Sequence, residues 1–147
     1  KESDKYTAMD RDEAESTEEM REIQRQALLC DTFLTSTNAM SDDGVLVNID
    51  GLGNRLAAIC YGPKQVIVVA GINKVAHSEE AAIARARNVA APTNIHRFPE
   101  KVTPCRKTGK CGDCVGEDCI CRQILITRMS MIPDRIKVVL INDDLGF

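Results

Sequence analysis

The residues best able to do chemistry in this chain are its cysteines, because five of the seven lie within the seventeen residues 105–121. They are Cys105, Cys111, Cys114, Cys119 and Cys121. A lone cysteine usually behaves as a small buried hydrophobe, whereas these five stand among glycine, lysine and aspartate residues that an apolar core would not hold. Thiols gathered in a polar, glycine-rich loop are typical of a metal site, where the backbone must bend sharply to present each sulfur.

The spacing of these cysteines indicates which four are ligands. Two residues separate Cys111 from Cys114, so both sulfurs can face one ion, and Cys105 and Cys121 flank that pair. Cys119 and Cys121 are too close for both to bind one ion comfortably, and Cys121 is preferred because it leads into the next predicted strand. The sequence therefore predicts a metal site made of Cys105, Cys111, Cys114 and Cys121, a set that suits zinc or an iron–sulfur cluster.

Other uses of the cluster are less well supported. Seven is an odd number of cysteines, Cys30 and Cys60 sit alone in apolar segments, and no signal sequence is visible, which favours a reducing, cytoplasmic location over disulfides. A redox CxxC pair normally opens a helix, and the glycines around Asp113 are poor helix formers. Between metals, the polar loop favours zinc, because reducible clusters are usually shielded from water.

Two further segments collect hydroxyl, amide, carboxylate and guanidinium groups. Residues 35–38 follow a predicted strand, where α/β folds place ligand sites. Residues 50–55 contain a Gly-x-Gly turn without the third glycine of a dinucleotide fingerprint, and no convincing glycine-capped helix is expected to follow it. If the two segments converge they would suit a small anion, although each also fits an ordinary turn. The candidate ligand-binding residues are Thr35, Ser36, Thr37, Asn38, Asp50, Gly51, Gly53, Asn54 and Arg55.

The elements that position these groups can be predicted from hydrophobic patterns. A capping box at residues 16–19 starts a helix over about 17–29, and a second helix runs from 78 to about 90, where Pro92 should stop it. Strands are predicted over residues 32–34, 45–49, 65–70, 123–126 and 135–141. Residues 65–70 are β-branched on both faces, as in a sheet covered on both sides, whereas 56–60 fit a strand or the start of a buried helix. Strands alternating with helices predict an α/β fold with a parallel or mixed sheet and flanking helices.

Length and charge narrow the class of protein. A chain of 147 residues fits one domain with a substantial core. Its net charge of −3 gives no case for nucleic-acid binding, and no apolar run approaches the ~20 residues that span a bilayer. Residues 1–15 are polar and patternless and are predicted to form a leading segment. Residues 16–147 then form the α/β domain, with 104–122 as its cysteine-rich loop.

Several of these segments recur in the order found in one known family. They are residues 34–40, 44–51, 53–55, 61–64, 91–92, 104–105, 108–111 and 144–146. Together they resemble the signature segments of the lactate-utilization (LUD) domain family, most closely its cysteine-containing bacterial branch. The resemblance runs from about residue 16 to the C-terminus.

The resemblance carries four implications. It implies a sheet similar to that of the sugar-phosphate isomerase and coenzyme A transferase superfamily, with ligands near loops placed like 35–38 and 50–55. It places family cysteines at positions 105, 111, 114 and 121, with 119 unmatched. Members usually have a further α/β half with a glycine-rich loop before the segment matching residues 1–30, so the domain is expected to be incomplete at its N-terminus. The better-studied members are tied to lactate oxidation but lack the cysteine loop, and this redox association favours a [4Fe–4S] cluster, which leaves zinc only slightly ahead.

The function expected from these patterns is that of a metal-binding accessory protein in lactate or organic-acid oxidation. Its thiolate site would be structural or would pass electrons to a redox partner protein. The alternatives are an isomerase- or transferase-type enzyme acting through Asp50, Asn54 and Arg55, or a binding module, for a small phosphorylated or carboxylated metabolite. If the N-terminal half is absent, exposed sheet edges would also favour self-association by strand pairing.

Overall fold

The helices and strands of the chain were located in a computed structural model that describes residues 2, 3 and 5–147. The strands are β1 (Glu2–Ser3), β2 (Tyr6–Thr7), β3 (Thr32–Thr35), β4 (Ala39–Ser41), β5 (Leu46–Asp50), β6 (Gln65–Gly71), β7 (Val75–Ala76), β8 (Gln123–Thr127) and β9 (Ile136–Ile141). The α-helices are α1 (Thr17–Gln26), α2 (Asn54–Cys60), α3 (Glu79–Arg85), α4 (Ala91–Asn94) and α5 (Pro104–Thr108). Short 3₁₀ turns span Arg11–Glu13, Ala27–Leu29, Ile72–Lys74 and Ile95–Arg97, and a π-helical turn spans Ala86–Ala90.

Two sheets organise the described part of the chain, and they confirm the predicted α/β fold class. A parallel sheet has the strand order β3-β6-β9. A mixed sheet has the order β7-β4-β5-β8, in which β4 runs parallel to β7 and β5 runs antiparallel to both of its neighbours. Within the leading segment, β1 and β2 form a small antiparallel ladder, while residues 1 and 4 of that segment lie outside the described residues.

The main core lies between the two sheets. Val66 and Val68 of β6 are fully buried and pack in one cluster with Met40, Leu46 and Ile59. A second cluster lies on the opposite side of the mixed sheet, where strand residues pack against alanines of α3 and the π-helical turn. Its buried members are Ala39, Val47, Ile49, Ala82 and Ala86. The order of layers is therefore parallel sheet, mixed sheet and helix.

The β-branched sequence of residues 65–70 predicted a sheet covered on both sides, but the parallel sheet is covered on one side only. In β6 the side chains alternate between buried and half-buried, and Ile67 and Val69 belong to the half-buried set. Strand β9 is exposed along most of its length, including Val139 at 44% and Leu140 at 46%. Within the described residues β9 pairs only with β6, so its outer edge is unpaired. Self-association through such an edge stays a prediction.

The predicted first helix is confirmed, with its cap. Ser16 Oγ accepts a hydrogen bond from the Glu19 amide of the first turn (3.1 Å), and the Glu19 carboxylate accepts one from the Glu15 amide just before the cap (2.8 Å). Its apolar stripe, which includes Met20 and Ile23, is only half-buried rather than part of the core.

Pro92 does not stop the second helix, contrary to prediction. The helix continues through α4 to Asn94 because the turn before it is wider, with the Ala91 amide bonding to Ala86 O. Proline has no amide hydrogen to donate, and it stands at the start of α4, where a missing donor costs least. The expectation of a break failed because a π-helical turn shifts the hydrogen-bond ladder ahead of the proline.

No helix in the described ranges is long and apolar enough to cross a bilayer.

Candidate metal centre and polar loops

The cysteine loop begins from a firmly held helix. Thr103, which is 3% exposed, caps α5 by accepting a hydrogen bond from the Arg106 amide (3.4 Å). The Arg106 guanidinium donates to the carbonyls of Ile95 and Phe98 at 3.1 and 3.0 Å, which fixes α5 against the preceding helical segment. Gly109, at φ +70°, then ends α5 in the left-handed region that glycine favours.

All five clustered cysteines line one small cavity of about 50 Å³. Cys105 and Cys119 are buried, whereas Cys111, Cys114 and Cys121 are half-buried. Apolar walls formed by Ile49, Ala91 and Ile124 complete this cavity beside the mixed sheet. The fold therefore brings together every cysteine that the sequence selected, and Cys30 and Cys60 lie outside the cavity.

The electrostatics of the thiols show how closely they approach one another. Burial, which is the largest cause, and the neighbouring sulfurs of Cys119, Cys105, Cys111 and Cys114 together raise the pKa of Cys121 to about 12. Burial first, then the hydrogen bond and charge of Cys119 and the charge of Cys105, together raise the pKa of Cys114 to about 11. Several thiolates at such a place repel one another unless a cation offsets their charge. A metal ion bound by the sulfurs would supply this positive charge.

A residue that the sequence analysis missed lies beside the cysteines. Arg87, in the π-helical turn, approaches the Cys111 sulfur at 3.7 Å and donates a short hydrogen bond to the Asp113 carboxylate. Asp113 itself has φ +49°, a left-handed conformation in the middle of the loop. Nothing in the local sequence around residue 87 marks this arginine, because its partners lie more than twenty residues later.

The cysteines do not yet stand in the geometry of a metal site. Across residues 2, 3 and 5–147, no three His, Cys, Asp or Glu side chains are arranged so that they could hold an ion as they are placed. Cys119 is also not set apart, because its sulfur lines the same cavity and accepts a hydrogen bond from the Cys121 amide (3.4 Å). The assignment of four ligands, and of Cys121 over Cys119, stays a prediction.

The two polar segments converge, and Arg55 joins them. Its guanidinium donates to Ser36 O (2.9 Å), Asn38 Oδ1 (2.7 Å), Asn48 Oδ1 (2.9 Å), Ile49 O (3.0 Å) and Asp50 Oδ1 (2.8 and 3.0 Å). Every nitrogen of the guanidinium is therefore already engaged within the chain. Arg55 holds loop 36–38 against the end of β5.

A helix does follow the Gly-x-Gly turn, which corrects the expectation that none would. Gly53, at φ +81°, is the N-cap of α2, and the Leu56 amide donates to the Asp50 carboxylate at 3.3 Å. The ambiguous segment 56–60 is thus helical, because its apolar residues Leu56, Ala58 and Ile59 fall on one buried helix face. The helix spans only seven residues.

The hydroxyl groups of residues 35–38 differ in what they contact. Thr37 is 2% exposed and donates to the Ala39 carbonyl (2.7 Å), while Thr35 donates to the Ser36 carbonyl (3.1 Å). Ser36 Oγ instead accepts a hydrogen bond from the Lys74 ammonium at 3.0 Å. Lys74 was not selected from the sequence, since no pattern connects it with residue 36.

The polar loops and the cysteine loop are neighbours. Strand β5 pairs with β8 so that Asp50 lies opposite Gln123, and the Arg122 amide donates to the Asp50 carbonyl at 3.0 Å. A Cβ added at Gly51 would lie 3.4 Å from the Ile120 carbonyl oxygen. The end of the cysteine loop is therefore packed directly beside the turn at residues 50–53.

These features define an α/β protein whose cysteine-rich loop packs against the edge of a mixed sheet. The family model of the LUD domain matches residues 1–141 of the 147-residue chain, and the chain belongs to that family. The match confirms the family indicated by the signature segments and relates the protein to lactate utilization. No curated protein sequence and no solved structure matches the chain.

Proposed function

We propose that this LUD-domain protein is a metal-binding accessory protein in the oxidation of lactate or a related organic acid. Its metal centre would be held by Cys105, Cys111, Cys114 and Cys121. The observation that carries the proposal is the convergence of all five loop cysteines on one cavity of about 50 Å³. Cysteines as far apart in sequence as Cys105 and Cys121 thus line the same cavity, which is what a shared metal would require.

The surroundings of the cavity fit a metal with thiolate ligands. Arg87 places a positive charge beside Cys111, which offsets part of the negative charge that four thiolates bring to one ion. Ile49, Ala91 and Ile124 line the cavity with apolar groups on the sheet side. Each cysteine can change the direction of its sulfur by rotating about its Cα–Cβ bond.

The two candidate metals imply different roles. Zinc would join α5 to the chain entering β8 as a structural clamp, whereas a [4Fe–4S] cluster would supply one-electron transfer with a redox partner protein. Val115 is 96% exposed and Asp113 is also exposed, so the outer side of the loop is open to water. That exposure favours zinc, while the lactate-oxidation association of the family supports iron–sulfur.

A second candidate function is binding or conversion of a small phosphorylated or carboxylated metabolite by the polar loops. It is favoured by the contact between residues 36–38 and 50–55. From the sequence, an anion site was expected only if these two segments converged. Every nitrogen of Arg55 already donates a hydrogen bond within the chain. The anionic group of such a metabolite would therefore have to be bound by other cations at this edge.

The experiment that tests the metal proposal compares Cys114→Ser with Cys60→Ser. Cys114 lines the cavity, whereas Cys60 is an exposed cysteine of α2 away from it. After purification without oxygen, the Cys114→Ser protein should retain little metal, and the Cys60→Ser protein should retain as much as the wild type. Equal metal content in the two variants would show that the cavity is not where metal binds.

A further inference from the structure

Three loops meet at one edge of the parallel sheet. Strands β3, β6 and β9 are parallel, so the residues that follow each of them leave the sheet at the same edge. Lys74, in the turn after β6, donates to Ser36 Oγ in the loop after β3. Asn73 accepts a hydrogen bond from the Leu145 amide (3.2 Å) and donates to the Gly146 carbonyl (3.3 Å), both in the segment after β9. Carboxyl ends of parallel strands are where α/β sheets bind ligands.

The lysine at this meeting point is buried without a counter-ion. Lys74 is only 6% exposed, and no carboxylate of the described residues forms an ion pair with it. The pKa of Lys74 is lowered, first by burial and then by the positive charges of Arg85 and Arg55. An unpaired buried ammonium is costly, so its retention here calls for an explanation.

The neighbouring groups do not supply the missing negative charge. Asp50 is paired with Arg55, at 2.8 Å. Arg85 donates to the main-chain oxygens of Asn73 (2.8 Å), Asn38 (2.6 Å) and Phe147 (3.4 Å), and no side-chain carboxylate of the described residues forms an ion pair with it. Lys74, Arg55 and Arg85 thus lie at this edge beside the Asp50 carboxylate. Asp143 and Asp144, in the segment after β9, have exposed side chains and form no ion pair with these cations.

The Ser36 hydroxyl beside Lys74 has an unused hydrogen-bond donor. Among the described residues the Ser36 hydroxyl accepts from Lys74 and has no acceptor for its own hydrogen, so it can donate to an incoming oxygen. Position 146 is a glycine, and a Cβ there would lie 3.2 Å from Lys74 Nζ. A side chain at 146 would therefore crowd the ammonium, and glycine avoids that contact.

We propose that Lys74, Ser36 and Arg85 form a binding site for the oxyanion group of a small ligand, either a phosphate or a carboxylate. Lys74 supplies the ion pair, the Ser36 hydroxyl supplies a hydrogen bond, and Arg85 adds to the positive field. This site names the residues and ligand class for the second candidate function. It does not depend on the metal centre, because none of its three residues lines the cysteine cavity, although Arg87 contacts Cys111 only two residues after Arg85.

The test is a titration of the full chain with inorganic phosphate and, separately, with L-lactate, at constant ionic strength and followed by calorimetry. Wild type should bind at least one of the two, and the probe that binds more tightly identifies the oxyanion as phosphate or carboxylate. Lys74→Met should weaken that binding by at least about tenfold, because a buried charge pair is lost. Lys64→Met is the matched control, since Lys64 is exposed and pairs with Asp31 far from this edge, and it should bind like wild type.

The effect of Lys74→Met on stability distinguishes a binding role of Lys74 from a structural one. If the ammonium is an uncompensated charge, Lys74→Met should raise the midpoint of denaturant unfolding of the ligand-free protein while it weakens binding. Lys74→Arg should keep binding within a few-fold of wild type. The proposal is overturned if neither probe binds below about 10 mM, if Lys74→Met binds as wild type does, or if that variant is destabilised. Metal content equal to that of wild type in Lys74→Met would show that a loss of anion binding does not come from damage to the metal centre.

Discussion

Arg87 and Cys111 are in contact although they are far apart in sequence, with the guanidinium Nη2 of one 3.7 Å from the sulfur of the other. The same nitrogen donates to Asp113, so a single arginine contacts the loop on both sides of Gly112. Arg87 follows Ala86, which is fully buried against the mixed sheet. The position of the cysteine loop is thus tied to the core through one helical turn.

Replacing Arg87 should loosen the metal without unfolding the protein. In Arg87→Met the charge beside Cys111 is lost, and metal should be released to a chelator several-fold faster than from wild type. Its ion pair with Asp113 involves a carboxylate that is 87% exposed, so thermal stability should change little. Arg97→Met, at an exposed arginine of the same helical region, is the control and should release metal at the wild-type rate.

The fourth ligand can be assigned by comparing Cys121→Ser with Cys119→Ser. Both sulfurs line the cavity and are two residues apart, so the substitutions disturb the fold to a similar degree. We expect Cys121→Ser to lose the metal and Cys119→Ser to retain it, because Cys121 continues into β8 through residues held by β5. Metal loss in Cys119→Ser with retention in Cys121→Ser would reverse the assignment.

Arg55 should be among the residues most important for stability. Arg55→Met would leave the Asp50 carboxylate, whose side chain is 11% exposed, without its cation, and would remove hydrogen bonds to four other acceptors. The free energy of unfolding should fall by about 3–5 kcal/mol, the range for breaking a buried pair from one side. Denaturant unfolding would measure it, and Arg25→Met, at an exposed pair with Glu22, should cost less than about 1 kcal/mol.

Gly71 tests the packing of the C-terminal segment against the parallel sheet. A Cβ at this position would lie 2.5 Å from both the Asp143 carbonyl oxygen and the Leu145 amide nitrogen, which are backbone atoms with little freedom to yield. Gly71→Ala should therefore destabilise the protein by about 1–3 kcal/mol, as overpacking does. Gly116→Ala, where the added atom meets nothing within 4 Å, is the matched control and should leave the unfolding midpoint nearly unchanged.

The sequence predicted those features that depend on local patterns. The helix capped by Ser16 and the strand at 65–70 follow from contacts within a few residues, and so does the α/β class. The predicted break at Pro92 was wrong because the π-helical turn Ala86–Ala90, just before the proline, shifts the hydrogen-bond ladder so that the helix continues. Segment 56–60 stayed ambiguous because an apolar run of that length fits either a buried strand or a buried helix.

The candidate site could be predicted only in part, because the sequence reveals local patterns but not contacts between distant segments. Clustered cysteines carry their own signal, and the fold gathers all five. Arg87 and Lys74 carry none, because an arginine or lysine in a helical or turn segment is usually a solvated charge. Only the packing of distant strands reveals that Lys74 is buried beside Ser36 and that Arg87 faces Cys111.

The most direct test of the metal centre is elemental analysis of the full chain purified without oxygen, with an absorbance spectrum of the same sample. We predict about one zinc per chain and no visible absorbance. Iron with acid-labile sulfide and a broad visible band would instead identify the same thiolate site as an electron-transfer centre. A protein that contains no metal and has all seven thiols free to react would contradict the account.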